Sequence, residues 1–108
     1  MKVEIRPGDQ NLLGPVLKLV REQSRPKLTQ ADVAARLTTM GLPMDRSAVS
    51  RIENKERSLT DIERLYFCRA LKISPAKLNY LEARVPTTLS LYEEIAEDDD
   101  FEQMVAED

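Results

Sequence analysis

Histidine is absent from this chain of 108 residues, and cysteine occurs once. Without an imidazole there is no histidine general base, no Ser–His–Asp or Cys–His arrangement, and no Cys/His zinc site. A single thiol forms no intrachain disulfide, which fits a reducing cytoplasm. Glycine occurs three times (Gly8, Gly14, Gly41), with none of the clusters that turn hairpins. Three tyrosines and two phenylalanines, scattered along the chain, are too few for a platform that stacks single-stranded bases. No run approaches the roughly 18 apolar residues of a membrane span. The opening residues carry Lys2, Glu4, Arg6 and Asp9 without an apolar stretch behind them. The expectation is a soluble, unexported, cytoplasmic chain with no membrane contact, no cofactor, no metal site and no enzymatic activity.

What is present is segregated charge. Residues 1–85 hold all 16 lysines and arginines against 10 of the 19 acids, a net +6, while residues 86–108 hold the other 9 acids and no base. The overall −3 therefore hides a basic body followed by an acidic segment. A positive body suits a polyanion, because neutralised phosphates release counterions. With 42% apolar residues the chain can fill one small core. The division read from this is an arm at 1–10, a folded body at 11–85 and an acidic extension at 86–108.

Apolar residues in the body recur at helical spacing, so an all-α fold of five helices is expected. The first runs from about Asn11 to Gln23 on Leu13, Val16, Leu17 and Val20, with Lys18, Arg21 and Glu22 outward. The second starts at a Thr29 cap with Asp32 three residues on, carries Val33, Ala34, Leu37 and Met40 inward, and stops at Gly41-Leu42-Pro43. The third, capped by Asp45, spans Arg46 to about Asn54. The fourth opens with the capping box Thr60-x-x-Glu63, on a stripe of Ile62, Leu65, Cys68 and Leu71. The fifth opens with Ser74 and Pro75 and turns Leu78, Leu81 and Val85 inward. Cys68 on the inner stripe reads as a small buried hydrophobe. Tyr66 is placed nearer the surface than Phe67.

The short third helix is the most informative. At 100° per residue, Arg46, Ser47, Ser50, Arg51 and Asn54 fall within about 140° of arc, and Ala48, Val49 and Ile52 lie opposite. One face is polar and the other is packed, which is the layout of a helix that enters a DNA major groove. Arginine can grip guanine O6 and N7 with two bonds, serine can donate or accept at a base edge or phosphate, and asparagine can take a phosphate or an adenine edge. The same residue types also make an ordinary solvated surface.

Over residues 28–78 the chain resembles the phage-repressor and Cro-like (Xre) helix-turn-helix family. The likeness rests on Leu28-Thr29-Gln30, Val33-Ala34 and Leu37, on Ser47-Ala48-Val49-Ser50-Arg51-Ile52-Glu53-Asn54, and on Ala70-Leu71-Lys72-Ile73-Ser74. The resemblance implies a repressor-like five-helix domain that binds duplex DNA. It also implies that Gln30 braces a phosphate and the neighbouring recognition side chain. Arg46, Ser47 and Arg51 would read bases, Ser50 adjoins them, and Asn54 and Lys55 would hold the backbone. Asn54 also suits a helix C-cap, Gln30 also suits plain surface, and Glu53 is expected to be a structural partner of Arg57 or of the chain near Arg64. The connection from Thr38 to Met44 is about one helical turn longer than the family's usual three or four residues. The bracing of Arg46 by Gln30 depends on that geometry.

In the acidic extension, Leu91, Tyr92, Ile95 and Ala96 behind Ser90-x-x-Glu93 favour a helix over the strand-like alternation of Thr87, Leu89 and Leu91. Residues 97–108 read as a solvated acidic end. Residues 88–105 could dock on a twin subunit, on another protein, or on the basic body. The expected function is that of a sequence-specific transcription regulator, more readily a repressor. Its partners would be a double-stranded DNA operator and a second copy paired through the fifth helix or the extension. The rival is an antitoxin or adaptor whose main partner is a protein. A carboxylate metallonuclease is remote, since the acids gather in the extension rather than on facing helices.

Overall fold

The computed structural model describes residues 3–84 and 87–89. In chain order these form β1 (Val3–Ile5), α1 (Gly14–Gln23), α2 (Gln30–Thr39), α3 (Arg46–Glu53), α4 (Asp61–Ala70), α5 (Pro75–Arg84) and β2 (Thr87–Leu89). The fold is all-α, with five helices and one short strand pair among the described residues. The helical course expected for Val85 and for residues 90–96, and the solvated acidic end read at 97–108, lie outside the described residues.

Local signals start the helices. Thr29 accepts from the Asp32 amide and Asp32 from the Thr29 amide, a closed capping box at α2; Thr60 and Glu63 do the same at α4. Asp45 caps α3 through the Ala48 amide at 2.8 Å, and Ser74 caps α5 through the Lys77 amide at 3.1 Å. The first helix begins at Gly14 rather than Asn11. Asn11 stays outside it, and its Oδ1 accepts from the Gly14 amide at 2.7 Å, ahead of a proline in the first turn.

Three helices end in one device, the Schellman motif, in which a left-handed residue lets two amides fold back on the last turn. At α2 the residue is Gly41 (φ +99°), with Gly41 N–H on Thr38 and Leu42 N–H on Leu37. At α3 it is Lys55 (φ +65°) and at α4 Lys72 (φ +56°), with Glu56 N–H on Arg51 and Ile73 N–H on Cys68. The longer connection between α2 and α3 is tied by the Thr38 hydroxyl, which donates to the Met44 carbonyl and accepts from the Met44 amide.

The core gathers Leu13 just before the first helix, Val16 and Leu17 within it, Val33 and Leu37 of the second, and Val49 and Ile52 of the third with Phe67, Leu71 and Leu78. Cys68 is buried, and Tyr66 lies nearer the surface than Phe67. The stripe expected on α4 is corrected. Ile62 and Leu65 are 67% and 57% exposed, while Phe67, Cys68, Ala70 and Leu71 are buried. Phenylalanine removes more apolar area from water than isoleucine or leucine, so the helix turns its Phe67 face inward. That rotation also sets Arg64 against Asn79 and Glu82 of α5.

Strand was not expected at either end of the body. Val3–Ile5 nevertheless pairs in parallel with Thr87–Leu89, in the register Val3 with Thr87, Glu4 with Thr88 and Ile5 with Leu89. At 87–89 this is the strand-like alternative weighed for Thr87 and Leu89, while the helix favoured behind Ser90 lies outside the described residues. Among the described residues no helix is long and apolar enough to cross a membrane.

Candidate nucleic-acid interface

α3 has eight residues, about 12 Å of helix, too short to be stable unsupported. Val49 and Ile52 are fully buried on its inner side and fasten it to the core. On its outer side Arg46, Ser47, Arg51 and Asn54 are exposed and Ser50 is half-buried. The face read from the sequence is thus presented as one surface. Among the described residues no carboxylate pairs with Arg46 or Arg51, although five other cations are so paired.

Beneath this face lies a polar chain that crosses three helices. Arg21 of α1 donates Nε to Glu53 Oε2 at 2.7 Å and Nη2 to Oε1 at 3.0 Å, a bidentate pair whose side chains are 9% and 2% exposed. The remaining Arg21 donor, Nη1, bonds the Leu28 carbonyl at 3.0 Å. Glu53 Oε1 also accepts from Gln30 Nε2 at 2.9 Å, and Gln30 Oε1 in turn accepts a long 3.5 Å contact from Arg46 Nη1. Gln30 therefore does reach Arg46 despite the lengthened connection. Burial opposes the Arg21 charge, but the Glu53 hydrogen bonds outweigh it and push the guanidinium above its ordinary value. Among the described residues every buried side-chain nitrogen and oxygen has a partner.

Two sequence expectations are corrected here. Arg21 was assigned to the solvated face of α1 and is buried instead, because Glu53 supplies the carboxylate that permits it. Glu53 is a structural partner as expected, but of Arg21. Arg57 pairs with Glu63 at 2.9 Å, and Arg64 with Glu82 at 3.3 Å.

The far end of α3 is held by a second set of contacts. Asn11 donates to the carbonyls of Ile52 and Arg57 at 3.0 and 2.8 Å while accepting from Gly14, so it ties the start of α1 to the end of α3. The two helices meet so closely that a Cβ at Gly14 would fall on the Ile52 carbonyl oxygen. Asn54 is the C-cap of α3, and its amide reaches Ser50 Oγ at 3.4 Å.

Lys55 departs from its expected place at a phosphate. Its ammonium is bound to Asp9 at 3.0 Å and to the Glu4 carbonyl, and its own carbonyl accepts from the Gln10 amide at 2.8 Å. The left-handed backbone at Lys55 turns the side chain toward the arm, where the Asp9 carboxylate neutralises it. Asp9 is held below the ordinary carboxylate value, first by the Arg6 amide and next by Lys55. Lys18 of α1, expected on the outer face of that helix but not among the site residues, is exposed and lines a cleft with Asn54 and Lys55.

Elsewhere the described residues hold no group of three side chains suited to a metal ion. Burial raises the Cys68 thiol above its usual value, which keeps it protonated and unreactive. The surface can offer to an extended anion hydrogen-bond donors and two guanidinium groups that no carboxylate among the described residues neutralises. Comparison of the chain with protein-family models, curated proteins and solved structures finds no match.

Proposed function

We propose that the chain is a sequence-specific DNA-binding regulator that lays α3 in the major groove and acts without catalysis. The reading is carried by one observation. Arg46, Ser47 and Arg51 stand exposed on a short helix, and Arg46 is braced through Gln30 to the buried Glu53–Arg21 pair. Base reading needs side chains whose backbone does not shift on contact, and the buried pair supplies that rigidity. Ser50 and Asn54 flank the readers, and Gln30 keeps its bracing role. Lys55 is withdrawn from the phosphate set because its charge is spent on Asp9; exposed Lys18 takes its place.

One helix of this length reads few base pairs, so a homodimer on two half-sites about 34 Å apart is part of the proposal, with steric repression as its mechanism. The protein-partner reading has its own support in Ile62 and Leu65, which leave an apolar strip exposed on α4.

Selection of bound fragments from random duplex DNA tests the reading. A single enriched motif is expected, and Arg46→Ala is expected to weaken binding to it by about 1–3 kcal/mol while relaxing choice at one base pair. Recovery of no enriched sequence, or undiminished discrimination in Arg46→Ala, refutes it.

A further inference from the structure

We infer that α4 pairs with the same helix of a second copy, antiparallel about a dyad at Leu65, and that this contact joins two half-site readers. The inference rests on the regulator reading for the need of a second copy, but the contact itself is argued from the outer face of α4.

That face carries an ordered stripe. At 100° per residue, Asp61, Leu65 and Arg69 follow one another along an i, i+4, i+8 ridge, with Ile62 beside Leu65 on the same side. All four are exposed, whereas Phe67, Cys68 and Ala70 turn into the core. Of the four large apolar side chains exposed among the described residues, Ile62 and Leu65 stand one turn apart on this ridge. An apolar contact of that kind, rimmed by charge, marks a surface that another protein covers.

The charges say which protein. α4 has four charged residues, of which Glu63 pairs with Arg57 and Arg64 with Glu82 inside the fold. The other two, Asp61 and Arg69, lie four residues to either side of Leu65, about 6 Å along the axis in each direction. A stripe that reads acid, leucine, base is its own complement when reversed. In an antiparallel pair centred on Leu65 the two leucines meet, each Asp61 faces Arg69 of the partner subunit, and Ile62 covers the aliphatic stem of that arginine. The opposed helix dipoles add to the attraction. Sliding either helix by one turn breaks both ion pairs, so the charges fix the register. A foreign partner has no reason to match this reversal symmetry, and that singles out a second copy.

The pairing uses no residue of the α3 face or of its brace through Gln30, Glu53 and Arg21, so both surfaces act at once. Two ten-residue helices bury less than the roughly 1,200 Å² of a stable complex, so association is weak in the free protein and is completed on adjacent half-sites.

The test measures self-association of the full chain by sedimentation without DNA, from micromolar to millimolar concentration, with helix content checked by circular dichroism. Leu65→Lys sets two like charges at the dyad and is expected to leave a monomer. Asp61→Arg turns two symmetry-related attractions into repulsions and is expected to weaken pairing about tenfold, and the exchange Asp61→Arg/Arg69→Asp is expected to restore it. A parent that stays monomeric throughout, unchanged association in Leu65→Lys, or a folded exchange variant no better than Asp61→Arg overturns the inference. Association lost in Tyr80→Ala but kept in Leu65→Lys puts the contact on α5 and overturns it as well. Rescue by the exchange, in a chain that enriches no motif from random duplex DNA, upholds the α4 contact and refutes the regulator reading separately.

Discussion

Replacement of Glu53 by leucine tests the buried pair directly. The change removes both oxygens that neutralise Arg21, leaving a guanidinium in the core with the Leu28 carbonyl as its remaining acceptor. Breaking a buried pair from one side costs about 3–5 kcal/mol. A domain of this size holds about 5–15 kcal/mol in total, so Glu53→Leu should take away at least about a fifth of it. The companion variant Arg21→Met/Glu53→Leu removes the stranded charge as well and fills similar volume, so it should lie within about 1.5 kcal/mol of the parent. Urea denaturation followed by circular dichroism measures both, read as a shifted midpoint at constant m. With Arg21→Met measured as the second single variant, the coupling energy between the two sites should be at least about 2 kcal/mol. A loss below about 1 kcal/mol for the single variant, or a double variant as unstable as the single, would refute the reasoning, since Arg21 would then be reaching water. The double variant also leaves Gln30 without its Glu53 anchor. On the regulator reading it should fold well and bind its operator more weakly, which separates stability from positioning.

Gly14→Ala sets a methyl group against the Ile52 carbonyl and should cost more than about 3 kcal/mol, readable in the same denaturation assay; a loss under about 1 kcal/mol would mean that α1 and α3 separate easily. Lys72→Gly relieves a left-handed lysine at an exposed position and should stabilise by about 0.5–1 kcal/mol, whereas Gly41→Ala should destabilise by about 1 kcal/mol or more; a reversal of these signs in thermal melts contradicts the helix-end assignments. Ser47→Ala and Arg51→Ala touch the exposed face alone, so each should change stability by no more than about 0.5 kcal/mol in urea, and a larger loss would place them in the packing. Asp32, held low chiefly by the Thr29 amide, and Glu63, held low chiefly by Arg57, have folded pKa values below their unfolded ones, as does Asp9. Their stabilisation is therefore complete above about pH 5 and is lost as pH falls from there through the folded values, so unfolding free energy that stays flat from pH 5 to 3 counts against those contacts.

The parts of the fold legible in the sequence are those decided within one turn of helix. Thr29 with Asp32, Thr60 with Glu63, Asp45, Ser74 and Gly41 each act on neighbours three to five residues away, so the residue types state the geometry. Gly41 was readable as a left-handed stop, whereas Lys55 and Lys72 adopt the same conformation without a glycine to mark it. Arg21 was misread because helical periodicity sorts apolar residues and says nothing of a cation whose partner lies 32 positions away. The β1–β2 pairing joins residues more than eighty positions apart, so the alternation of Thr87, Leu89 and Leu91 carried no sign of a partner strand at Val3–Ile5. On α4 the apolar residues Ile62, Leu65 and Phe67 point in more than one direction, and packing against the common core, α2 as well as α5, chose among them. The outer face of α3 was legible because Val49 and Ile52 fix which side is inward. Of the contacts that stiffen it only the Gln30–Arg46 brace was anticipated, from the family resemblance; the others cross to α1 or to the arm, which helical periodicity does not reach.

Those contacts divide the surface of α3 into residues that must stay and residues that can vary. Its first turn is touched by Gln30, its middle is fastened by Val49 and Ile52, and its last turn is gripped by Arg21, Asn11 and, through Lys55, the arm. None of these anchors uses Ser47 or Arg51. A helix held at both ends and along its inner side keeps its orientation when its outer side chains change, so the chemistry displayed there can be altered without refolding the domain. The arrangement also explains why Arg21–Glu53 is retained although an apolar pair of equal volume could be as stable: Met and Leu would fill the space, but only the carboxylate also holds Gln30, and through it the side chain that stands at the surface.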